Sequence, residues 1–291
     1  MASPKDRFFA IVNPAAGGGK SAKLAGPALA RLRAKRLHID VIASTGPGHA
    51  VQLAREAYSQ GYRRFLAVGG DGTAHEILNG VFARNPAAER IALGFLPLGT
   101  GNSFLDALFA NRTRPVDLVR LTHASGEIYS FNILSVGFTA DVGALSNRVF
   151  KPLGHLGYLF GVFVGLVQLK RRAFVLRSDD ETEWDTRRSL FLTFNNSKYT
   201  GGTMLIAPDA DPSDGFIEFV RWGPIGRFGL LRMLPRLYSG THLNHPLASR
   251  RSVKHVEFNI PVPVDVLIDG EIFSLECKTL DILPSAVDIY I

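Results

Sequence analysis

Residues 65–80 read FLAVGGDGTAHEILNG. The first four are apolar and of strand type, Gly69-Gly70-Asp71-Gly72 follow without a break, and residues 73–83 carry helical spacing. Strand, glycine turn, helix is the repeating unit of an open parallel sheet with helices on both faces. The unit recurs on either side. Phe8–Val12 is apolar and ends in the glycine-rich turn 13–19; residues 21–37 are helical in pattern, with Leu24, Leu29 and Leu32 apolar. Ile39–Ala43 reads as a strand, and residues 49–60 as a helix stopped by Gly61. Residues 91–96 make a fourth strand, and residues 99–109 open a further helix. Ligands of such sheets sit at the carboxyl ends of the strands, and all three glycine-rich turns fall on that edge.

The pattern changes near Asn111. Beyond it come β-type runs at 127–135, 174–178, 189–195, 215–222, 253–259 and 264–268. A wholly apolar stretch at 156–167, LGYLFGVFVGLV, and a helical stretch at 226–238 interrupt them. This predicts a mostly β second domain.

A chain of 291 residues, 46% hydrophobic and 20% charged, suits two globular domains with little disorder. Its 33 Lys and Arg exceed its 26 Asp and Glu, a net charge of +7. That favours an anionic partner: nucleic acid, a phosphorylated ligand or an anionic membrane face. No RNP, zinc-finger or helix-turn-helix motif accompanies the charge, so nucleic acid is not expected. The lone Cys277 excludes an internal disulfide scaffold and any multi-cysteine zinc or iron–sulfur site, and it suits a reducing compartment. The opening MASPKDRFFAIVNP has no apolar stretch of signal-peptide length. The run 156–167 falls short of the about 20 residues that span a bilayer. It reads as a buried core helix or as one lining a lipid-binding cleft. Lys170, Arg171 and Arg172 behind it suit a membrane surface and a helix C-terminus equally.

Three turns have the design of a phosphate cradle. Gly17-Gly18-Gly19-Lys20-Ser21 is not a Walker A loop, because Pro14 stands where that motif needs its first glycine. Its glycine turn still aims backbone N–H groups at an anion. In Gly69-Gly70-Asp71-Gly72-Thr73, Asp71 can hold Mg²⁺, accept from a ribose or adenine, or simply close a tight turn capped by Thr73. Residues 97–103, PLGTGNS, repeat the design. Two Asp-Gly pairs carry a similar ambiguity. Asp269-Gly270 before Glu271 is a hairpin turn that can present a carboxylate. Asp214-Gly215, with Asp209 and Asp211, is a solvated turn or an oxygen-liganded cation loop. His75 and His155 lack a second ligand at metal spacing, and Ser103 and Ser135 lack triad partners.

NPAAGGGK at 13–20, GGDGTAHEILNG at 69–80 and PLGTGNSF at 97–104 together resemble the diacylglycerol kinase catalytic-domain family, which includes bacterial lipid kinases, sphingosine kinases and ceramide kinases. Val116-Asp117-Leu118, NILSVGFTADV at 132–142, GGTMLIAPDADPSD at 201–214 and Asp269-Gly270-Glu271 follow in the family's order. GGDGT alone is shared with NAD kinases; the ordered set is specific.

The resemblance implies ATP-dependent phosphorylation of a lipid hydroxyl. It implies a phosphofructokinase-like doubly wound α/β domain at 1–111, completed by 281–291, then a β-sandwich lipid-substrate domain at 112–280, with the active site in the cleft between them. By position, Asn13, Pro14, Ala15, Ala16, Gly17, Thr45, Gly69, Gly70, Asp71, Gly72, Thr73, Ala74, His75, Glu76 and Thr100 match ATP-contacting segments. Glu271 matches the proton acceptor, and Asp71 and Asp117 the acids that organise catalytic Mg²⁺. Asp214 matches the carboxylate of a structural Mg²⁺, with carbonyls from Asp211 and Phe216. Many bacterial members have Gly-Phe-Asp-Ala where this chain has Gly137-Phe138-Thr139-Ala140. The form here is closer to the sphingosine kinases, whose counterpart of Asp141 contacts the lipid headgroup. The acceptor stays open among diacylglycerol, a sphingosine- or ceramide-like lipid and a related lipid. A soluble small-molecule kinase such as NAD kinase is the alternative. The implied setting is cytoplasmic and peripheral to a membrane, with ATP and a lipid as partners and the oligomeric state open, a homodimer included.

Overall fold

The computed structural model describes residues 3–34, 36–85, 88–96, 112–145, 169–179, 181–200 and 203–291. The chain divides into two units, Met1–Asp117 with Ser285–Ile291, and Leu118–Pro284.

In the first unit β1 (Phe8–Val12), α1 (Lys20–Ala34), β2 (Ile39–Ala43), α2 (His49–Ser59), β3 (Arg64–Val68), α3 (Asp71–Phe82) and β4 (Ile91–Phe95) alternate. The strands lie parallel in the order β2-β1-β3-β4. Helix α1 ends earlier than its apolar spacing predicts. Arg36 takes a left-handed φ of 65°, and the Leu37 N–H reaches back to the Leu32 carbonyl, the bond pattern that terminates a helix. At the end of α2 Gly61 does the same, with φ 96° and a bond from Tyr62 N–H to Ala57 O. Gly80 sets the packing of α2 on α3. A Cβ there would stand 2.5 Å from the Val51 carbonyl oxygen and 2.8 Å from the Ala54 Cβ. The predicted helix at 99–109 lies outside the described residues.

Two long strands run through the boundary between the units: β5 (Thr113–His123) and the last strand, Cys277–Tyr290. Residues Val287–Ile289 of the latter pair parallel with β4, so the chain's end completes the first unit's sheet. Phe8 packs against Tyr290 there, ring centres 5.6 Å apart.

The second unit continues with β6 (Gly126–Ser130), β7 (Ile133–Gly137), β8 (Arg172–Ala173), β9 (Leu176–Ser178), β10 (Arg188–Ser189), β11 (Phe191–Asn195), β12 (Tyr199–Thr200) and β13 (Met204–Leu205). It closes with β14 (Ile217–Trp222), β15 (Ala248–Val253), β16 (His255–Phe258), β17 (Val264–Ile268), β18 (Glu271–Leu275) and the start of β19 (Cys277–Tyr290). A six-stranded antiparallel sheet has the order β15-β14-β11-β7-β17-β18. Its inner face packs on β5, β9, β16 and β19 through Leu134, Phe194, Phe219, Val256, Phe258 and Leu280. Phe194 stacks on Phe219 at 4.8 Å and meets Phe258 edge-on at 5.7 Å. This is a β-sandwich core.

The sequence reads 127–135 and 253–259 as single strands; each is broken. The first breaks at Phe131-Asn132 and the second at Lys254, where the chain passes from one sheet of the sandwich to the other. A carboxylate satisfies the backbone at each break: Asp269 at the first, and Asp179, which accepts from the N–H groups of Lys254 and His255 at 2.8 and 3.0 Å, at the second. Both aspartates hold a φ of 47°.

Candidate active site

The register of β1 with β2 and β3 sets Val12 level with Ala43 and Val68, so the turns that leave these strands share one sheet edge. Asn13 N–H donates to Val68 O at 2.9 Å, tying the first turn to the third strand. The Asn13 side chain accepts from Ala15 N–H at 3.1 Å, and Gly17, Gly18 and Gly19 follow at φ 61°, 66° and 87°. Pro14 and Ala16 lie half-buried between them. Three successive left-handed residues need glycine, and they leave backbone, without side chains, on the surface.

Gly69 is the tightest point of this edge. A Cβ there would lie 2.3 Å from Thr73 Oγ1 and 3.3 Å from the Asn13 Cβ. Thr73 is 3% exposed, and its hydroxyl has no hydrogen-bond partner among the described residues. Gly70 leads extended into α3, with Asp71 and Gly72 in its first turn and Thr73 N–H bonded to Gly70 O at 3.0 Å. The exposed Asp71 therefore sits at the positive end of the helix dipole. Ala74 and His75 are buried in the helix. Glu76 has a job inside the fold: its carboxylate accepts from Gly48 N–H and Ala50 N–H, each at 3.0 Å. It fixes the start of α2 and the segment that carries Thr45, whose N–H and hydroxyl both meet His49 Nδ1 at 3.0 Å. Thr100 and the turn 97–103 lie outside the described residues, as do His155 and the apolar run 156–167.

Bare backbone at 17–19, the missing side chain at Gly69 and the orphan hydroxyl of Thr73 fit a phosphate-bearing ligand. Asp117, 1% exposed, lies where β5 leaves the first unit, and its carboxylate accepts from Ser285 N–H at 2.6 Å. Ser285 holds φ 52°, a left-handed residue inside a strand.

In the second unit Glu271 opens β18 and is exposed. Asp269 and Gly270, with φ of 47° and 92°, form the two-residue hairpin that the Asp-Gly pair predicts. Asp269 does more than turn the chain. Its Oδ1 accepts from the Ser130 hydroxyl at 2.7 Å, Asn132 N–H at 3.0 Å and Ile133 N–H at 3.2 Å, and its Oδ2 from Phe131 N–H at 3.2 Å. The hairpin that carries Glu271 is thus pinned to the bend between β6 and β7. Nothing in the sequence beyond the Asp-Gly turn signals this anchor, since its partners lie far away along the chain.

Asp141 is on the helix Phe138–Leu145, which follows β7 and packs on β17 and β18. Gly143 lets it approach; a Cβ there would be 2.9 Å from Ile272 Cδ1. Asp141 and Glu271 are therefore carried by packed neighbours. Asp141 Oδ1 accepts from Arg172 Nη1 at 3.0 Å, and Arg171 Nε donates to Ile225 O at 3.2 Å, so two cations of the basic cluster are engaged within the unit.

The loop before β14 is made of aspartate turns. Asp211 Oδ1 accepts from Ser213 N–H and Oγ at 3.0 and 2.8 Å, and Asp214 Oδ1 from Phe216 N–H at 2.9 Å, with Gly215 at φ 76° between. Among the described residues no three His, Cys, Asp or Glu gather as a metal site. A cation on Asp214 would draw its remaining ligands from carbonyls, such as those of Asp211 and Phe216, and from water, which is oxygen chemistry suited to Mg²⁺.

Residues 7–136 match the diacylglycerol kinase catalytic domain, and residues 132–291 match the YegS C-terminal NAD kinase beta sandwich-like domain. The chain belongs to the family of diacylglycerol kinases and YegS-like lipid kinases. A diacylglycerol kinase of Mycobacterium tuberculosis is 27% identical over 298 residues, covering 97% of this chain and 94% of the relative. The diacylglycerol kinase of Bacillus subtilis is 25% identical over 279 residues, covering 90% and 88%. A YegS-like protein of Xanthomonas euvesicatoria is 30% identical over 208 residues, 66% of each chain. The fold is shared with the crystal structure of a diacylglycerol kinase from Bacillus anthracis, at TM-score 0.65, 17% identity and coverage of 98% and 96%. A second structure from that organism gives 0.74 at 18% identity, covering 100% and 96%. As a lipid kinase of this family the chain is a phosphotransferase.

Proposed function

We propose that this chain transfers the γ-phosphate of ATP, with Mg²⁺, to the hydroxyl of a membrane lipid, with Glu271 as proton acceptor. The observation that carries the reading is the pinned hairpin. A catalytic carboxylate must be held to a fraction of an ångström, and Asp269 supplies that anchorage next but one to Glu271.

Asn13, the backbone of 15–17, Gly69, Gly70, Gly72 and Thr73 cradle the nucleotide's phosphates through N–H groups and one buried hydroxyl. Thr45 and the backbone of 74–76 border the same ligand. Asp71 and Asp117 would hold the catalytic Mg²⁺ through water, and Asp214, with the carbonyls of Asp211 and Phe216, would hold a structural one. When bound, Mg²⁺ supplies charge neutralisation at the phosphate oxygens. Glu271 takes the proton from the lipid hydroxyl as the new bond to phosphorus forms. Asp141, held by Arg172, orients the polar headgroup. The lipid is diacylglycerol or a sphingosine- or ceramide-like alcohol.

The test is transfer of labelled γ-phosphate from ATP to mixed micelles, each with one of diacylglycerol, sphingosine or ceramide, and to NAD in free solution. A labelled lipid supports the reading and names its acceptor. Labelled NAD with no labelled lipid contradicts it.

A further inference from the structure

From Gly223 to Lys254 the chain has no Asp or Glu but carries Arg227, Arg232, Arg236, Arg250, Arg251 and Lys254. The helices Arg227–Met233 and Arg236–Ser239 lie in this stretch. Leu234 and Pro235 between them keep helical φ and ψ, so the backbone winds on through the join. One face is packed: Leu230 and Met233 are buried in the core, and Leu234 and Leu237 pack against it.

The outward face is apolar as well. Phe228 is 89% exposed, Leu231 47% and Tyr238 59%, and Pro235 is exposed between them. At about 100° per residue, Phe228, Leu231, Pro235 and Tyr238 fall within about 80° of one another. Arg227 lies on one side of that stripe and Arg232 and Arg236 on the other, all three exposed. An exposed phenylalanine in a row of apolar residues is poorly explained by the unit's own packing. A two-faced helix with arginines along its outer stripe has the composition of one that lies in a bilayer interface, rings in the acyl boundary and guanidinium groups at the phosphates.

We propose that Phe228, Leu231, Pro235 and Tyr238, flanked by Arg227, Arg232 and Arg236, form a docking surface for an anionic lipid bilayer. The charge fixes the choice of occupant: the surface is apolar and cationic with no acid in its stretch of sequence, which matches anionic headgroups over acyl chains. A second copy of the same surface would set arginines against arginines. The proposal rests on the lipid-kinase reading for its purpose, because the hydroxyl to be phosphorylated lies at such an interface; its measurement needs no turnover.

The experiment is co-sedimentation of the full chain with vesicles of equimolar phosphatidylglycerol and phosphatidylcholine, and with phosphatidylcholine alone. The wild type binds the anionic vesicles more tightly, and binding weakens as salt is raised. Phe228→Ser with Leu231→Ser lowers binding by about tenfold or more, while Arg232→Gln with Arg236→Gln lowers binding to the anionic vesicles by about fivefold per arginine and flattens its salt dependence. These side chains are exposed, so unchanged circular dichroism and melting confirm that the variants fold. Turnover of a short-chain form of the lipid that accepts phosphate, below its micellar concentration, stays at the wild-type rate in both variants. Equal sedimentation of wild type and Phe228→Ser/Leu231→Ser overturns the proposal. So does a wild-type dimer, seen by analytical ultracentrifugation, that the same substitutions dissociate. Absence of turnover on every lipid, with vesicle binding intact, would instead count against the kinase reading alone.

Discussion

The carboxylate of Asp269 accepts the hydroxyl of Ser130 at 2.7 Å, across 139 residues of chain, and the same carboxylate takes three consecutive backbone N–H groups. One buried side chain thereby replaces the ladder bonds lost where β6 bends into β7. Asp269→Asn puts an amide donor where one of the carboxylate oxygens accepted. It is expected to lower stability by about 1–3 kcal/mol and to reduce kcat while KM for ATP holds. Urea unfolding with steady-state kinetics checks both; an unchanged midpoint with unchanged kcat contradicts the anchoring role.

Gly80 is where α2 and α3 touch. Gly80→Ala places a Cβ 2.5 Å from a backbone carbonyl, which cannot yield without moving α2. The expected cost is about 1–3 kcal/mol, despite the better helix propensity of alanine. Glu76 joins the same helix pair to the Thr45 segment, so ATP affinity should fall as well. Thermal unfolding and nucleotide titration read the two effects. A variant as stable as the wild type would mean that the contact relaxes freely.

Glu218 is 7% exposed and accepts from the Ser252 hydroxyl at 3.0 Å. Burial, reinforced by the charge of Asp214, raises its pKa above the usual carboxylate range. The folded state therefore holds this proton more tightly than the unfolded state. The stabilising difference is present below the unfolded pKa of about 4.3 and is lost as pH rises through the folded value. Glu218→Gln should melt higher than the wild type at neutral pH, and the two should converge in acid. A variant that is less stable at neutral pH would contradict the sign.

Cys277 is 1% exposed, and burial pushes its thiol up to about 12. The thiolate is the reacting form, so a thiol reagent at pH 8 should label the native chain only as fast as β19 opens. Labelling in mild urea should track unfolding. Immediate labelling in buffer would contradict this.

The α/β half was legible because its signals are local. Residues 65–68 before Gly69-Gly70, and Gly61 after α2, are read from a few neighbouring side chains, and the structure realises both. The Asp269-Gly270 hairpin was legible for the same reason. The strand breaks at Phe131-Asn132 and Lys254 were not, because the carboxylates that stabilise them come from residues 137 and 75 positions away in sequence. β5 also escaped, and of β19 only the end, 281–291, was anticipated, through the family resemblance. Pro115 and Pro284 sit inside them, and charges such as Asp117 and Arg120 interrupt the apolar alternation; their length is set by pairing, not by local pattern. Of the candidate site, the residue types were readable and their partners within the fold were not. Glu76 is spent on holding α2, and Asp141 is paired with Arg172.

The central claim is that Glu271 accepts the lipid's proton. The direct measurement is γ-phosphate transfer to the preferred lipid by the wild type and by Glu271→Gln, with ATP affinity measured on both proteins. The account predicts a loss in kcat of about 10²–10⁴-fold with ATP binding unchanged. Turnover within a few-fold of the wild type would show that the proton leaves by another route.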